Sequence, residues 1–241
     1  MHGYSPLNTL KPVAEDIWLV DGPAIRFYGV PFTTRMTVIR LENGDIWLHS
    51  PTQIDPALKA QIDALGPVRH LIAPNWIHYA YINQWRTAYP EARSHVAPGV
   101  KQRAHKMGVA LTIDAELSQQ APEAWQGQIA QMLVEGSSYH REVVFFHIRS
   151  KTLILTDLCE NIPKHLLPWW VRPLAWLGGV LAPHGGTPRD MRLTFRKGHQ
   201  ELRTAVLQMI DWAPERIIIA HGNWMKTDGV AHLKRIFRWV L

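Results

Sequence analysis

Residues 71–85 read LIAPNWIHYAYINQW, and this stretch decides how the rest of the chain is interpreted. Its first three residues predict the end of a buried strand. Asn75 suits the turn that follows, because an Asn side chain accepts hydrogen bonds from free N–H groups. A simple turn does not require His78 or its aromatic neighbours, which are Trp76, Tyr79, Tyr81 and Trp85. The stretch therefore predicts a loop that carries chemistry, or the remains of one.

The composition predicts one folded domain over residues 1–241. Hydrophobic residues make up 46% of the chain and charged residues 19%, which is ordinary for a globular protein and excludes a disordered one. The net charge of +6 is scattered rather than gathered in blocks, so we expect no nucleic-acid partner. No apolar run approaches the roughly 20 residues that a transmembrane helix needs.

The cysteine content and the N-terminus predict the compartment. Cys159 is the only cysteine, which excludes an intrachain disulfide and fits a reducing environment. We expect it to be a small buried side chain rather than a nucleophile. The first residues lack the basic and then apolar pattern of a secretory signal. A cytoplasmic protein is the prediction.

Apolar periodicity predicts two strand-rich blocks, each followed by helices. Strands are predicted at 16–22, 35–41, 45–50, 68–73, 94–99, 128–136, 141–148, 151–157 and 216–220, and helices at 55–65, 78–89, 100–107, 198–211 and 229–241. Asn43-Gly44 predicts a hairpin turn, because both residues tolerate positive φ. The order predicts an α+β fold with two sheets packed together and helices on both outer faces.

Three predicted strands end in polar residues that folding does not require. They are followed by Asn75 and His78, by Asp157, and by His221. Taken singly, Asp157 suits a capping residue and His221 a ring that bonds a nearby carbonyl. An imidazole and a carboxylate that converge from different strand ends are, however, the donors that a Zn²⁺ or Fe site needs.

Four stretches together resemble the metallo-β-lactamase fold superfamily, and more closely a branch with a degenerate metal-binding motif. They are LKPVAEDIWLVDGP, LGPVRHLIAPNWIHYAYINQW, SSYHREVVFFHIRSKTLILTD and IIIAHG. The resemblance covers nearly the whole chain. It implies a four-layer αββα sandwich, with two mixed β-sheets face to face and helices outside.

The chain departs from the metal-binding pattern of that superfamily. Active members carry a His-x-His-x-Asp-His loop, where this chain has Pro-Asn-Trp-Ile-His-Tyr and keeps only His78. Ser138 aligns with a further ligand histidine, which His140 would replace if the turn differs. The resemblance matches Asp157 to the metal-bridging carboxylate and His221 to the last ligand. A second metal is not expected, because amide and hydroxyl oxygens bind Zn²⁺ far less well than imidazole.

Three hypotheses for function follow. The first is a hydrolase of an ester, lactone or phosphodiester, with one divalent metal (Zn or Fe) held by His78, Asp157, His221 and His140. In it His78 and Asp157 are catalytic, and the substrate-binding residues are Asn75, Tyr79, Ser138 and Trp170. The second is a degenerate, metal-free member that binds a small ligand or a partner. The third is metal-free acid–base chemistry through His78 and Asp157.

Residues 161–192 form a Trp- and Pro-rich insertion with more tryptophan than a short surface loop should expose. It suits a lid over the cleft, a homodimer interface, or a weak interfacial contact with a membrane, because Trp together with Lys and Arg is typical of both kinds of surface. The prolines and the short length exclude a membrane span.

Overall fold

The computed structural model describes residues 4–27 and 29–241, which divide into two compact units. The N-terminal unit ends at residue 118 and the C-terminal unit comprises residues 119–241. That both belong to one domain stays a prediction. No helix within the described ranges is long and apolar enough to cross a membrane.

The N-terminal unit is built on a mixed seven-stranded sheet whose strands follow chain order. Its strands are β1 (Lys11–Ala14), β2 (Ile17–Phe27), β3 (Val30–Arg40), β4 (Ile46–His49), β5 (Val68–Ala73), β6 (Arg93–Val96) and β7 (Ala115–Glu116), and its helices are α1 (Pro56–Asp63), α2 (Ile82–Ala88) and α3 (Val100–Lys106). Neighbours are antiparallel from β1 to β4 and parallel from β4 to β7. The predicted Asn43-Gly44 hairpin is confirmed, with Gly44 at a φ of 87° between β3 and β4.

Local sequence signals place the helices that follow β4 and β5. Helix α1 begins where Asp55 Oδ1 accepts the N–H of Leu58 at 2.8 Å, and Pro56 provides a fixed φ in its first turn. Leu58 and Ile62 face the core from α1. Trp85 is fully buried from α2, and its indole N–H donates to Thr52 O at 2.7 Å. The segment after β5 is thereby anchored to the unit's core.

Three buried histidines make the stability of the N-terminal unit sensitive to acid. Burial lowers the pKa of His70 and of His95 to about 4, and it lowers the pKa of His49 to about 3 with help from the nearby His78. Unfolding restores a pKa near 6.5, so the unfolded chain binds more protons than the folded one between about pH 4 and pH 6.5. Stability must therefore fall as the pH falls through this window.

We expect the free energy of unfolding to drop by about 3 kcal/mol between pH 7 and pH 4 for each of the two histidines His70 and His95. Urea unfolding at a series of pH values measures this drop. The His95→Gln variant should show a shallower pH dependence, whereas replacement of the exposed His105 by alanine should leave the dependence unchanged. Equal slopes for His95→Gln and the unmodified protein would contradict the assignment.

The C-terminal unit contains a mixed four-stranded sheet with the order β11-β10-β9-β8. The strands are β8 (Ile129–Val134), β9 (Glu142–His147), β10 (Thr152–Ile154) and β11 (Arg216–Ile218), and the helices are α4 (Arg172–Gly178), α5 (Arg189–Thr194), α6 (His199–Asp211) and α7 (Gly229–Ile236), with a 3-10 turn at Lys164–Leu166. Apolar residues of this sheet, of α6 and of α7 form one buried cluster. It includes Phe146, Leu153, Val206, Ile217 and Leu233.

The two sheets and their helices confirm the predicted α+β class. The Trp-rich insertion is not an irregular loop, because it contains α4 and the start of α5. The predicted burial of Cys159 is also confirmed, and burial raises the pKa of its thiol to about 12. Burial and a raised pKa both fit the predicted role of Cys159 as a small buried side chain.

Candidate metal site in the C-terminal unit

The strand register brings three polar side chains to one edge of the C-terminal sheet. Phe145 pairs with Ile154 in the antiparallel partner, and Ile154 pairs with Ile218 in the parallel one. Phe145, Ile154 and Ile218 therefore lie side by side across the sheet. Glu142 lies three residues before Phe145, while Asp157 and His221 lie three residues after Ile154 and Ile218. Because β9 runs opposite to β10 and β11, all three positions lie at the same end of the sheet. Strand pairing alone therefore assembles the cluster.

Asp157 and His221 contact each other directly. The distance from His221 Nε2 to Asp157 Oδ1 is 3.1 Å, and the side chains are only 7% and 5% exposed. An unpartnered polar group is costly to bury, and at this separation each of these two buried side chains is a partner for the other. The structure thus joins two of the predicted metal ligands.

Glu142 is the residue that holds the end of β10 in place. Its carboxylate is fully buried and accepts N–H groups from three successive residues, at 2.6 Å from Thr156, 2.9 Å from Asp157 and 3.2 Å from Leu158. The same carboxylate accepts from His140 Nε2 at 3.1 Å. These bonds fix the backbone from which the Asp157 side chain projects.

His140 completes the cluster from the turn before β9. Burial alone would lower the pKa of His140, but the hydrogen bond and charge of Glu142, with the charge of Asp157, raise it above the ordinary value. Ser137 Oγ accepts the backbone N–H of His140 at 2.7 Å and holds this turn. Ser138 is exposed, and its backbone N–H donates to Thr194 O at 3.0 Å.

The backbone behind His221 is packed too tightly for any side chain. Gly222 has a φ of 111°, and a Cβ added there would lie 2.2 Å from Asn161 O. Asn161 N donates to His221 O at 3.1 Å, and Asn223 N donates to Asn161 O at 2.8 Å. The loop after Asp157 is thus bonded directly to the backbone of His221 and Asn223, and glycine is the residue that permits this approach.

A further carboxyl group, that of Glu160, lies beside the cluster. Burial raises its pKa to about 8, with smaller contributions from the carboxylates of Asp157 and Asp190. A carboxyl group with this pKa is mostly protonated at neutral pH, so Glu160 adds little negative charge there. A bound divalent cation would favour its ionised form.

In the N-terminal unit, Asn75 forms the turn after β5. The side chain is fully buried, and its Oδ1 accepts the N–H groups of Ile77 at 3.0 Å and of His78 at 3.1 Å. This is the capping role that its position in the sequence predicts. That Asn75 also contacts a substrate stays a prediction.

His78 follows this turn and is held by a hydroxyl group. The distance from its Nδ1 to Ser50 Oγ is 2.6 Å, and Ser50 lies just after β4. A partner on one ring nitrogen fixes the orientation of a histidine ring, as the outer partners of metal-binding histidines do. The ring is partly exposed. The catalytic and metal-binding roles of His78 stay predictions.

The donor atoms of the C-terminal unit fit a divalent transition metal. Ligand atoms of His140, Glu142 and Asp157 lie within 4.8 Å of one another, and His221 adds a second imidazole at Asp157. Imidazole nitrogen and carboxylate oxygen are the ligands that Zn²⁺ and Fe²⁺ take in catalytic sites. Glu142 was missed from the sequence as part of this cluster. Tyr79 and Trp170, the other predicted substrate contacts, are half-buried and half-exposed respectively.

Solved structures show that the chain has the metallo-β-lactamase fold. The DIM-1 metallo-β-lactamase exposed to ceftazidime aligns with a TM-score of 0.66 and 12% identity, over 96% of this chain and 95% of that one. The mono-zinc form of FIM-1 from Pseudomonas aeruginosa aligns with a TM-score of 0.63 and 11% identity, over 97% of this chain and 96% of that one. A metallo-β-lactamase from Hirschia baltica aligns with a TM-score of 0.62 and 14% identity, over 96% of this chain and 97% of that one. Identities this low show the fold alone, and the resemblance stated from sequence is confirmed at that level.

Sequence comparison identifies the family without an activity. No curated protein matches the sequence significantly. A family profile described as "Domain of unknown function (DUF4336)" matches residues 14–172, more than half of the chain. The chain therefore belongs to the DUF4336 family.

Proposed function

We propose that this protein is a hydrolase that uses one divalent metal held by Asp157, His221 and His140. The observation that carries the proposal is the buried Asp157–His221 pair, with His140 attached to the same cluster through Glu142. Two imidazoles and a carboxylate are three protein ligands, the number that catalytic zinc sites use. The mono-zinc form of FIM-1 supports a single metal in this fold.

The protein's own groups have separate tasks in this proposal. Asp157 and His221 supply donors from rigid strand ends, and Glu142 orients Asp157 through the backbone. A zinc ion held by these residues would lower the pKa of a bound water to about 7 and so would supply a nucleophile near neutral pH. In the prediction from sequence, His78, which Ser50 orients, is a metal ligand or transfers a proton. The same prediction assigns substrate contacts to Asn75, Tyr79, Ser138 and Trp170. The lone buried cysteine supports a cytoplasmic location.

The test is hydrolysis of ester, lactone and phosphodiester substrates by protein supplied with one equivalent of Zn²⁺ or Fe²⁺. We expect turnover that falls at least about 100-fold in Asp157→Ala and His221→Ala, because each removes a donor to the metal. The matched control is the exposed His184, whose replacement by alanine should leave turnover unchanged. His78→Ala tests the prediction from sequence separately, and unchanged turnover in that variant would remove His78 from the site.

A second candidate is a metal-free binding protein. It is favoured by the way in which neighbouring groups already satisfy one another, since Asp157 bonds His221 and Asn75 bonds its own turn. The third hypothesis, metal-free acid–base catalysis by His78 and Asp157, needs no further group. Turnover without added metal and in the presence of a chelator would favour acid–base catalysis. If the protein neither binds metal nor turns over any of these substrate classes, the binding-protein hypothesis would be favoured.

A further inference from the structure

The insertion at 161–192 exposes large apolar side chains that a helix normally buries. Five of them lie on α4 and the residues before it: Trp169 at 79% exposure, Trp170 at 50%, Leu174 at 64%, Trp176 at 68% and Leu177 at 54%. We call these five residues the tryptophan face. Five large, exposed apolar side chains within nine residues of sequence are more than single apolar residues scattered over a surface, and they indicate an interaction surface.

Helix α4 turns its small residues inward and its large ones outward. Val171 and Ala175 are buried, while Leu174, Trp176 and Leu177 point to solvent. A lid that covers a ligand would present its large apolar side chains to that ligand. The large apolar side chains of α4 are therefore open to a partner, whether that partner is a surface or a ligand.

Charge indicates which partner. Asp190 is the only acidic residue of the insertion at 161–192, which carries Lys164, Arg172, Arg189 and Arg192. Lys164 and Arg189 are exposed, and a Cβ at Gly179, the end of α4, would lie 3.5 Å from Arg189 Nε. The tryptophan face is therefore bordered by cations at the end of α4 and before it.

A second copy of the chain is a poor fit to this face. In a two-fold dimer the same patch meets itself, so the Lys and Arg border of one copy would face the Lys and Arg border of the other. Like charges at such an interface reduce affinity. An anionic surface has the opposite effect, because Lys and Arg are attracted to it while Trp and Leu enter the interfacial layer.

We propose that the tryptophan face docks the protein onto membranes that contain anionic lipids. Trp and Leu side chains enter the boundary between headgroups and acyl chains, and Lys164, Arg172 and Arg189 contact the lipid phosphates. The protein binds peripherally, through short helices and loops that lie on the membrane without crossing it. This proposal is independent of any metal in the C-terminal unit.

The experiment is co-sedimentation of the full chain with vesicles of phosphatidylglycerol and phosphatidylcholine, compared with phosphatidylcholine alone. We expect binding to the anionic vesicles that weakens with added salt, because screening shortens the reach of surface charge. The double variant Trp169→Ala/Trp176→Ala should bind at least about tenfold more weakly, because the lost apolar area is what enters the interface. Lys164→Glu/Arg189→Glu should lose the preference for anionic lipid.

The matched control is a double alanine replacement at Met107 and Leu207, which are 57% and 42% exposed outside this segment. It should bind as the unmodified protein does. The four positions that are changed to alanine or glutamate are all exposed to solvent already: Trp169, Trp176, Lys164 and Arg189. Circular dichroism checks that each variant is folded. Equal vesicle binding by Trp169→Ala/Trp176→Ala and the unmodified protein would overturn the proposal. So would a dimer in sedimentation velocity that Trp170→Asp/Trp176→Asp converts to monomer.

Discussion

Replacing Glu142 with alanine is expected to lower the free energy of unfolding by about 4 kcal/mol. The carboxylate is fully buried and accepts N–H groups of Thr156, Asp157 and Leu158 together with His140 Nε2. Alanine leaves these donors without their acceptor in a site that water does not reach. Each buried donor that loses its partner costs about 1–3 kcal/mol, and the several losses are partly relieved by rearrangement.

Urea unfolding measures this effect, and glutamine provides a graded comparison. Glu142→Gln keeps one acceptor oxygen but places an NH₂ group against N–H donors, so it should be destabilised by about 2 kcal/mol. The matched control is Glu123→Ala, because Glu123 is an exposed carboxylate in the same unit. The control should change stability by less than about 0.5 kcal/mol. A Glu142→Ala variant as stable as Glu123→Ala would show that Glu142 does not organise this sheet edge.

Replacing Gly222 with alanine is the second change for which we expect a large effect, a loss of at least about 3 kcal/mol. The added Cβ would lie 2.2 Å from Asn161 O and 2.3 Å from Asn161 C, and backbone atoms cannot move aside as a flexible side chain does. The positive φ of 111° adds strain for any residue with a Cβ. The chain must shift beside His221, so a metal bound there should also be held about tenfold more weakly.

Gly127 separates the two causes of strain. It also has a positive φ, of 83°, but no atom lies within 4 Å of an added Cβ. Gly127→Ala therefore carries only the conformational cost, about 1 kcal/mol. Thermal and urea unfolding should show that the Gly222→Ala variant is much less stable than the Gly127→Ala variant. Equal losses would show that the close approach of Asn161 contributes nothing.

Hydropathy and turn chemistry predict most of the secondary structure because the relevant forces are local. The run REVVFFHI predicts β9, and RIIIA predicts β11, since β-branched and aromatic residues favour strands. Asn43-Gly44 predicts its hairpin through its backbone preference. Strand β7 was missed because two residues, Ala115–Glu116, carry no periodicity.

The sequence could identify Asp157 and His221 as candidates, but not their contact or the role of Glu142. The contact depends on the register of β10 with β11, which two short apolar runs do not specify. Glu142 resembles an ordinary polar residue at the start of a strand. Only the pairing of β9 with β10 places its carboxylate beside the N–H groups of Thr156 to Leu158.

The Trp-rich insertion shows a different limit of sequence reasoning. Its apolar residues and prolines do not distinguish a segment buried in the protein's own core from one that contacts a partner. Proline at position 173 lies in the first turn of α4, where it is compatible with a helix, so the segment is helical despite its proline content. The direction in which Trp176 points depends on Val171 and Ala175 packing inward.

Metal content tests the central claim most directly. The measurement is elemental analysis of the full chain, purified without chelator or metal-affinity steps, alongside Asp157→Ala, His221→Ala and the control His184→Ala. The proposal predicts about one transition-metal ion per chain in the unmodified protein and in the control, and loss of that ion in the other two variants. Absence of metal from the unmodified protein, with no thermal stabilisation on addition of Zn²⁺ or Fe²⁺, would contradict it, as would two ions per chain.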